Sequence, residues 1–289
     1  MKKNFEEIFS EIYTNYSEHF LQTYNKKFRN CLKLLAIISI ITIIIYNLAG
    51  INSAGFFAIA GGIIIFFLVI KIQDKYIEDY KKNIISKLVT LYHPKLKYYF
   101  DLGLERYDYI SSKIPEKFDD FKSTDLICGK IIDGLDFKMS YIKTYRKEYN
   151  KNDKNDFENV ETFKGIFCCA KMSKTISSEI IIDINDFKKK DNLNRIEFES
   201  VEFEKKFDCF SNNKIIALQI LTPDVVEQIN KLCVVLKNAI QIRINNDKIF
   251  LRFMSNELFI PQKFKNPFDG SSLRKIYDAI YISSNLVEC

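Results

Sequence analysis

Hydrophobic residues recur at three- and four-residue steps near the start of the chain: Phe5, Phe9, Tyr13, Tyr16, Phe20, Tyr24 and Phe28. That spacing predicts an amphipathic helix over residues 1–33, with one apolar stripe. Glu6, Glu7 and Glu11 come early and the bases late, an order that suits the helix dipole. The rhythm then gives way to an unbroken apolar run. From Leu34 to Ile70 no residue is charged, and Lys33 and Lys71 close the run at its two ends. Two arms of roughly membrane-spanning length meet at Gly50-Ile51-Asn52-Ser53, so residues 34–70 read as a transmembrane hairpin. A buried hairpin of a soluble protein is the competing reading, but buried helices seldom run this long without a polar residue on either face. A signal peptide fits less well, because a long region carrying acids precedes the run.

Within the hairpin, Ala54, Ala58 and Gly62 repeat every fourth residue, a ridge on which a second helix backbone can pack closely. Ala36, Ser39 and Thr42 offer a second small surface on the first arm. Lys26, Lys27, Arg29 and Lys33 precede the run and Lys71, Lys75, Lys81, Lys82 and Lys87 follow it, while the turn carries no base. The positive-inside rule then places both termini in the cytoplasm and the turn outside. Ile77, Tyr80, Ile84, Leu88 and Leu91 form another stripe, which predicts a stalk helix over residues 71–93. The two striped helices are expected to pack on each other rather than lie flat on the membrane. His93-Pro94 ends the second one, since proline pushes the residue before it out of the α region.

Beyond Pro94 a short helix is expected over Tyr107 to Ser112. From Ser123 the period changes to two. Leu126–Ile132 and Leu135–Ile142 read as strands around an Asp133-Gly134 turn. Lys147–Thr162 is polar and reads as a loop, as does Phe187–Asn192. Phe163–Met172, Ile180–Ile184 and Ile196–Phe198 read as strands, and Lys214–Leu221 alternates. Thr222-Pro223-Asp224 starts a helix whose face is Val226, Ile229, Cys233 and Leu236. Ile240, Ile242 and Ile244 are expected to pair with Phe253, Leu251 and Ile249 across a two-residue turn at Asn246-Asp247. Leu273, Ile276, Tyr277 and Ile280 read as a terminal helix capped near Asp269 or Ser271. The fold class is therefore α+β: a two-helix transmembrane hairpin with a helical cytoplasmic stalk, then a mainly antiparallel β domain with a few helices over residues 94–289. A fragment from Lys95 onward is expected to close a core of its own.

Charge adds a little to this picture. The 43 Lys and Arg against 37 Asp and Glu leave a net +6, and much of the excess flanks the hairpin. Near an anionic leaflet each such base contributes about 1 kcal/mol of attraction. No Arg-rich stripe or recognition motif accompanies the scattered lysines, so nucleic-acid binding is not expected. The seven cysteines are irregularly spaced without C-x-x-C, against a disulfide framework or a zinc site. Free thiols fit a reducing cytoplasm.

Candidate chemistry is sparse. His19 and His93 both fall in or beside the stalk, away from the β domain. The nine glycines form no phosphate-binding loop. Asp119-Asp120 and Asp183 with Asp186 are acidic neighbours of the kind that sit in solvated turns. Cys168-Cys169 could hold one reactive thiol, but adjacent strand residues face opposite ways. The hairpin has no ionisable residue to mark an ion path. No catalytic, cofactor-binding or metal site is assigned.

Five stretches carry a resemblance: Phe163-Lys164-Gly165-Ile166-Phe167; Val201-Glu202-Phe203-Glu204-Lys205-Lys206-Phe207-Asp208; Ile220-Leu221-Thr222-Pro223; Lys248-Ile249-Phe250-Leu251; and Leu258-Phe259. In order and spacing they resemble the bacterial membrane-protein family called domain of unknown function 3137, over roughly Lys71 to Pro261. The resemblance implies an N-terminal hairpin followed by a soluble domain, and it implies no activity. The function expected is a membrane-anchored interaction module in the bacterial cytoplasmic membrane. Its partners would be the bilayer through residues 34–70 and a protein for the β domain. The alternative is a membrane-tethered enzyme using a carboxylate or thiol.

Overall fold

The computed structural model describes residues 3–114, 117–131, 134–149, 157–184, 193–236, 240–255, 258–261, 268 and 270–287. Helix α1 (Phe5–Ala49) is 45 residues long. Asn4 caps it, its side chain accepting a hydrogen bond from the Glu7 backbone N–H at 2.9 Å. The chain reverses at Gly50, whose φ of 81° suits a residue without Cβ, and α2 (Ile51–Asp79) starts at once. The expected four-residue turn is thus one residue. Helix α2 runs into a π-helical turn (Tyr80–Ile85) and then α3 (Ser86–Tyr92), and His93 is extended.

The two long helices pack antiparallel along both their apolar arms and their stalk portions. Gly61 sits against Ile38, where a Cβ would lie 2.6 Å from Cγ2. Phe20 meets Tyr76 with ring centroids 5.1 Å apart, and Tyr24 meets Tyr76 at 4.8 Å. The stalk helices therefore do pack on each other. The small-residue ridge is only partly the contact: Ala54 is buried, but Ala58 and Gly62 face outward. On the first arm Thr42 is half-buried while Ala36 and Ser39 are exposed. A strict four-residue repeat drifts about 40° per step around a helix of 3.6 residues per turn. The inward line instead mixes steps of three and four, through buried Ala54 and Gly61 and half-buried Phe57 and Ile65. The same drift corrects the N-terminal stripe. Phe5, Ile8, Ile12, Phe20 and Tyr24 are buried, whereas Tyr13 and Phe28 are exposed.

Among the described residues seven strands form one antiparallel sheet: β1 (Leu96–Tyr99), β2 (Asp120–Lys130), β3 (Asp136–Tyr149), β4 (Phe157–Ile184), β5 (Asn194–Ile196), β6 (Phe207–Ser211) and β7 (Ile240–Met254). The order is β1-β2-β3-β4-β6-β5, with β7 along β4. Between them lie α4 (Arg106–Ser111), α5 (Val201–Glu204), α6 (Lys214–Ile220) and α7 (Pro223–Leu236), and α8 (Ser271–Asn285) follows β7. The β2–β3 hairpin, α4, α7 and α8 stand where the sequence pattern puts them. Asp133, Phe187–Asn192, Asp186 and Asp269 lie outside the described residues.

Four expectations are corrected. Lys147–Thr162 is not simply a loop: β3 and β4 continue through its described ends, with Tyr149 paired to Phe157. The two strands expected at 163–172 and 180–184 are one 28-residue strand, β4. Lys214–Ile220 is helical, because the Asn213 side chain accepts hydrogen bonds from the N–H groups of Ile215 and Ile216. The last difference is the most instructive. Ile240–Met254 is a single 15-residue strand and not a hairpin. Ile244 pairs with Ile180 and Ile249 with Ala170, and Asn246 has a φ of 54°. The isoleucines before Asn245 and the apolar residues after Lys248 differ in parity. A two-residue turn and an irregularity within one strand both bring them to one face.

One sheet face packs against α1, the π-helical turn, α3, α7 and α8 in a continuous core. Ile8, Ile12, Tyr80, Ile84 and Leu88 of the stalk share it with Ile127, Met139, Ile166, Ile180 and Ile242 of the sheet. The opposite face carries a smaller cluster under α4, formed by Leu104, Tyr109, Ile142, Phe163, Phe167 and Phe250.

Candidate functional site

The residues singled out from sequence do not converge. His19 is exposed on α1, and the Nδ1 of His93 accepts from the Lys95 N–H at 3.4 Å at the end of α3. Asp119 accepts from the Lys147 N–H at 2.7 Å, and Asp120 from the Phe121 N–H at 2.9 Å, so both tie down the start of β2. Asp183 is buried on β4 and takes the Gln241 amide at 2.9 Å on each oxygen. Gln241 in turn accepts from Arg252 at 2.6 Å, and Arg252 donates to the Tyr109 hydroxyl at 3.1 Å. This chain of bonds holds α4 on the sheet. Cys168 is buried in the main core, and burial pushes its thiol well up. Cys169 points to the other face, where burial and Asp108 push it up to about 12. Burial likewise pushes Cys209 up to about 12 and Cys233 to about 11. A thiolate nucleophile is disfavoured at each of these positions. Among the described residues no group of three His, Cys, Asp or Glu side chains could hold a metal ion.

A different group of residues does converge, around Asp125. In the β2–β3 ladder the register shifts between Thr124 and Ile127, and Asp125 takes a φ of 59°. A non-glycine residue in the left-handed region inside a strand is uncommon, although aspartate tolerates it better than most. The shift turns the Asp125 carboxylate toward the stalk, where it is only 3% exposed. Lys81 lies opposite, in the π-helical turn. Its Nζ is 2.7 Å from one carboxylate oxygen and 2.8 Å from the other. The Thr124 hydroxyl donates at 2.9 Å, and the Tyr98 hydroxyl donates to Oδ1. Burial and the Asp125 charge push the Tyr98 phenol far above its usual range, so it stays a donor. Two irregularities, a widened helix turn and a strand bulge, are thus joined by one buried ion pair. Breaking such a pair from one side costs about 3–5 kcal/mol.

A cleft of about 260 Å³ opens beside this pair. Its floor is Asp125 with Lys81. Thr124, Lys122, Tyr141 and Lys143 of the sheet form one wall, and Leu258, Phe259 and Ile260 the other. The Tyr98 ring lies tilted against Phe259, with centroids 5.9 Å apart. The Asp125 carboxylate is neutralised and the Tyr98 phenol stays protonated, so the arrangement offers cations and hydrogen-bond donors rather than a free base. Sequence reasoning missed the site. The one local signal was an acid at position 125 directly before the apolar Leu126–Ile127 run; its partners lie 44 and 27 residues away in the chain.

The family model described as "Protein of unknown function (DUF3137)" matches residues 161–289. That stretch holds all five pieces of the resemblance read from sequence and continues beyond them. A comparison with curated proteins finds no match. Among solved structures, the crystal structure of the mycobacterial trehalose monomycolate transport factor A, TtfA, matches at 10% identity. The match covers 64% of this chain and 88% of that one, with a TM-score of 0.34, too low to carry an argument about fold or role.

Proposed function

We propose, from the premise that residues 161–289 belong to the DUF3137 family of unknown function, that the chain is a membrane-anchored interaction module. In this reading residues 34–70 cross the bacterial cytoplasmic membrane twice, and both termini and the sheet lie on the cytoplasmic side. The observation that carries it is the continuity of anchor and domain. Among the described residues two helices are long and apolar enough to cross a membrane. The same two helices, without a loop between, continue into the core of the sheet domain. Such an anchor fixes the height and orientation of the domain and raises its effective concentration toward other membrane components. The sheet offers a place for a protein partner. Strand β7 is paired with β4 alone among the described residues, so its outer edge lacks a strand neighbour, a surface suited to strand addition.

Impermeant maleimide labelling in intact cells tests the topology. Asn52→Cys should label above the unsubstituted background, and Lys97→Cys should label only after lysis. The reverse pattern would overturn the reading. Purification of the full chain in mild detergent tests the module role: a stoichiometric membrane-protein partner should be retained, and recovery of the protein alone would count against it.

A further inference from the structure

The cleft beside Lys81 holds more positive charge than its own residues neutralise. Asp125 is committed to Lys81 at the floor. Lys122 and Lys143 stand directly opposite each other in the β2–β3 ladder. Like charges in that position repel. The carboxylate nearest to Lys122 is the exposed Asp120, 4.0 Å away. Lys143 makes no ion pair among the described residues and lies 5.7 Å from the centroid of the Tyr141 ring. Across the cleft the wall is apolar, through Leu258 and Phe259, both nearly buried.

We infer that this cleft binds an anionic group, a phosphate or carboxylate, borne on a small apolar body. The anion would sit at the mouth, between the Lys122 and Lys143 ammonium groups, because the Lys81 charge at the floor is already committed to Asp125. The apolar body would lie against Leu258 and Phe259. The cleft's 260 Å³ equals roughly nine waters at about 30 Å³ each, room for a headgroup and a few methylenes.

The position of the cleft bears on where such a ligand comes from. Gly129 pairs with Leu96, just after the end of the stalk, whereas Asp125 meets Lys81, well up the stalk toward the apolar arms. Lys122 and Lys143 therefore lie on the hairpin side of the sheet. Lys81 is about 16 Å along the helix from Ile70, at ~1.5 Å per residue. A soluble anion and the headgroup of an anionic amphiphile drawn from the leaflet share the chemistry recognised here. The inference needs the cleft alone and stands apart from the tethering role.

Calorimetric titration of the full chain in neutral detergent tests it. The titrants are inorganic phosphate, short-chain dihexanoyl phosphatidic acid below its micelle concentration, and the corresponding phosphatidylcholine. Saturable binding of the phosphatidic acid is expected. It should weaken about tenfold or more in Lys122→Gln/Lys143→Gln and be unchanged in Lys97→Gln/Lys130→Gln, whose lysines lie elsewhere on the sheet. Equally tight binding of inorganic phosphate identifies a soluble anion as sufficient; binding of the acylated form alone identifies the amphiphile. The inference is overturned if neither anion binds, if the Lys122/Lys143 double variant binds as the unsubstituted protein does, or if phosphatidylcholine binds as well. Circular dichroism of both double variants separates lost binding from lost folding.

Discussion

The lower and upper halves of α1 are both rich in apolar side chains, yet their surroundings are opposite. Below Lys33 the apolar stripe is buried: Ile8 and Ile12 are fully covered by the sheet domain. Above it Ile37, Ile40, Ile43 and Leu48 are exposed, Leu48 to 82%. The second helix divides the same way. Tyr80, Ile84 and Leu88 are completely buried, while Phe56, Ile59 and Ile64 stand open. The contrast separates two sources of stability along one element. The stalk half is held by protein packing. The hairpin half shares only a thin seam, with Ala54 and Gly61 its buried residues in α2, and the rest of its apolar surface stands open, as a membrane-crossing segment would leave it.

That contrast is broken most severely by deletion. Fully burying a large apolar side chain contributes about 1.5–3 kcal/mol, and net stabilities are about 5–15 kcal/mol. The stalk supplies many such side chains to the core, so a fragment from Lys95 onward should fail to fold and should aggregate on expression. A chain lacking only residues 34–70, with Lys33 joined to Lys71 by a short flexible linker, should stay folded and become soluble without detergent. Circular dichroism and size-exclusion chromatography would check both. A folded Lys95 fragment would show that the sheet domain does not depend on the stalk, as the sequence pattern alone suggested.

Single substitutions sharpen it. Ile84→Ala should cost about 2–5 kcal/mol, the range for truncation in a packed core. Ile64→Ala, in the exposed arm, should stay within about 0.5 kcal/mol in detergent. Denaturant titration in one fixed detergent would compare them; equal effects would contradict the division.

The smallest effect expected is on acid stability, at the seam between the halves. Burial alone would raise the Asp79 carboxyl, but the Tyr24 hydroxyl and Lys75 outweigh it and hold the group below the ordinary aspartate value of 3.8. A carboxyl depressed on folding adds stability above its unfolded pKa, and that stability is lost as pH falls through the folded value. Thermal unfolding followed from pH 5 downward should therefore show a steeper loss below about pH 4 in the unsubstituted protein than in Asp79→Asn.

The periodic parts of this fold were legible because each rests on local repetition. The apolar arms, both stalk stripes, the Thr222-Pro223 helix start and the terminal helix around Ile276 all announce themselves within a dozen residues or so. What stayed hidden depends on partners remote in the chain. Ile240–Phe253 carried the right faces but not the right neighbour, since β4, which takes both halves of β7, lies some seventy residues earlier. The exposed side chains of Lys147 and Glu158 look like loop residues, although their backbones lie in one ladder. Nothing local ties Lys81 to Asp125: one reads as another base flanking the hairpin, the other as an acid before a strand. The family resemblance, by contrast, was legible where the matched region carries it, between Phe163 and Phe259.

The one-residue reversal at Gly50 leaves the two arms no slack at the top, and the Tyr24–Asp79 bond ties them again near the base. Between those fastenings the pair cannot slide or shear far, so it moves as a single lever. On the proposed reading the membrane is the fulcrum, and the arm of α1 below Leu34, Phe5–Lys33, is about 44 Å long at ~1.5 Å per residue. Hairpins adjust their tilt when bilayer thickness changes. A tilt of about 10° would carry the far end of the stalk, and the sheet packed on it, sideways by roughly 8 Å. A lateral change in the lipid would then reach any protein docked on the sheet as a displacement, with no rearrangement inside the domain itself.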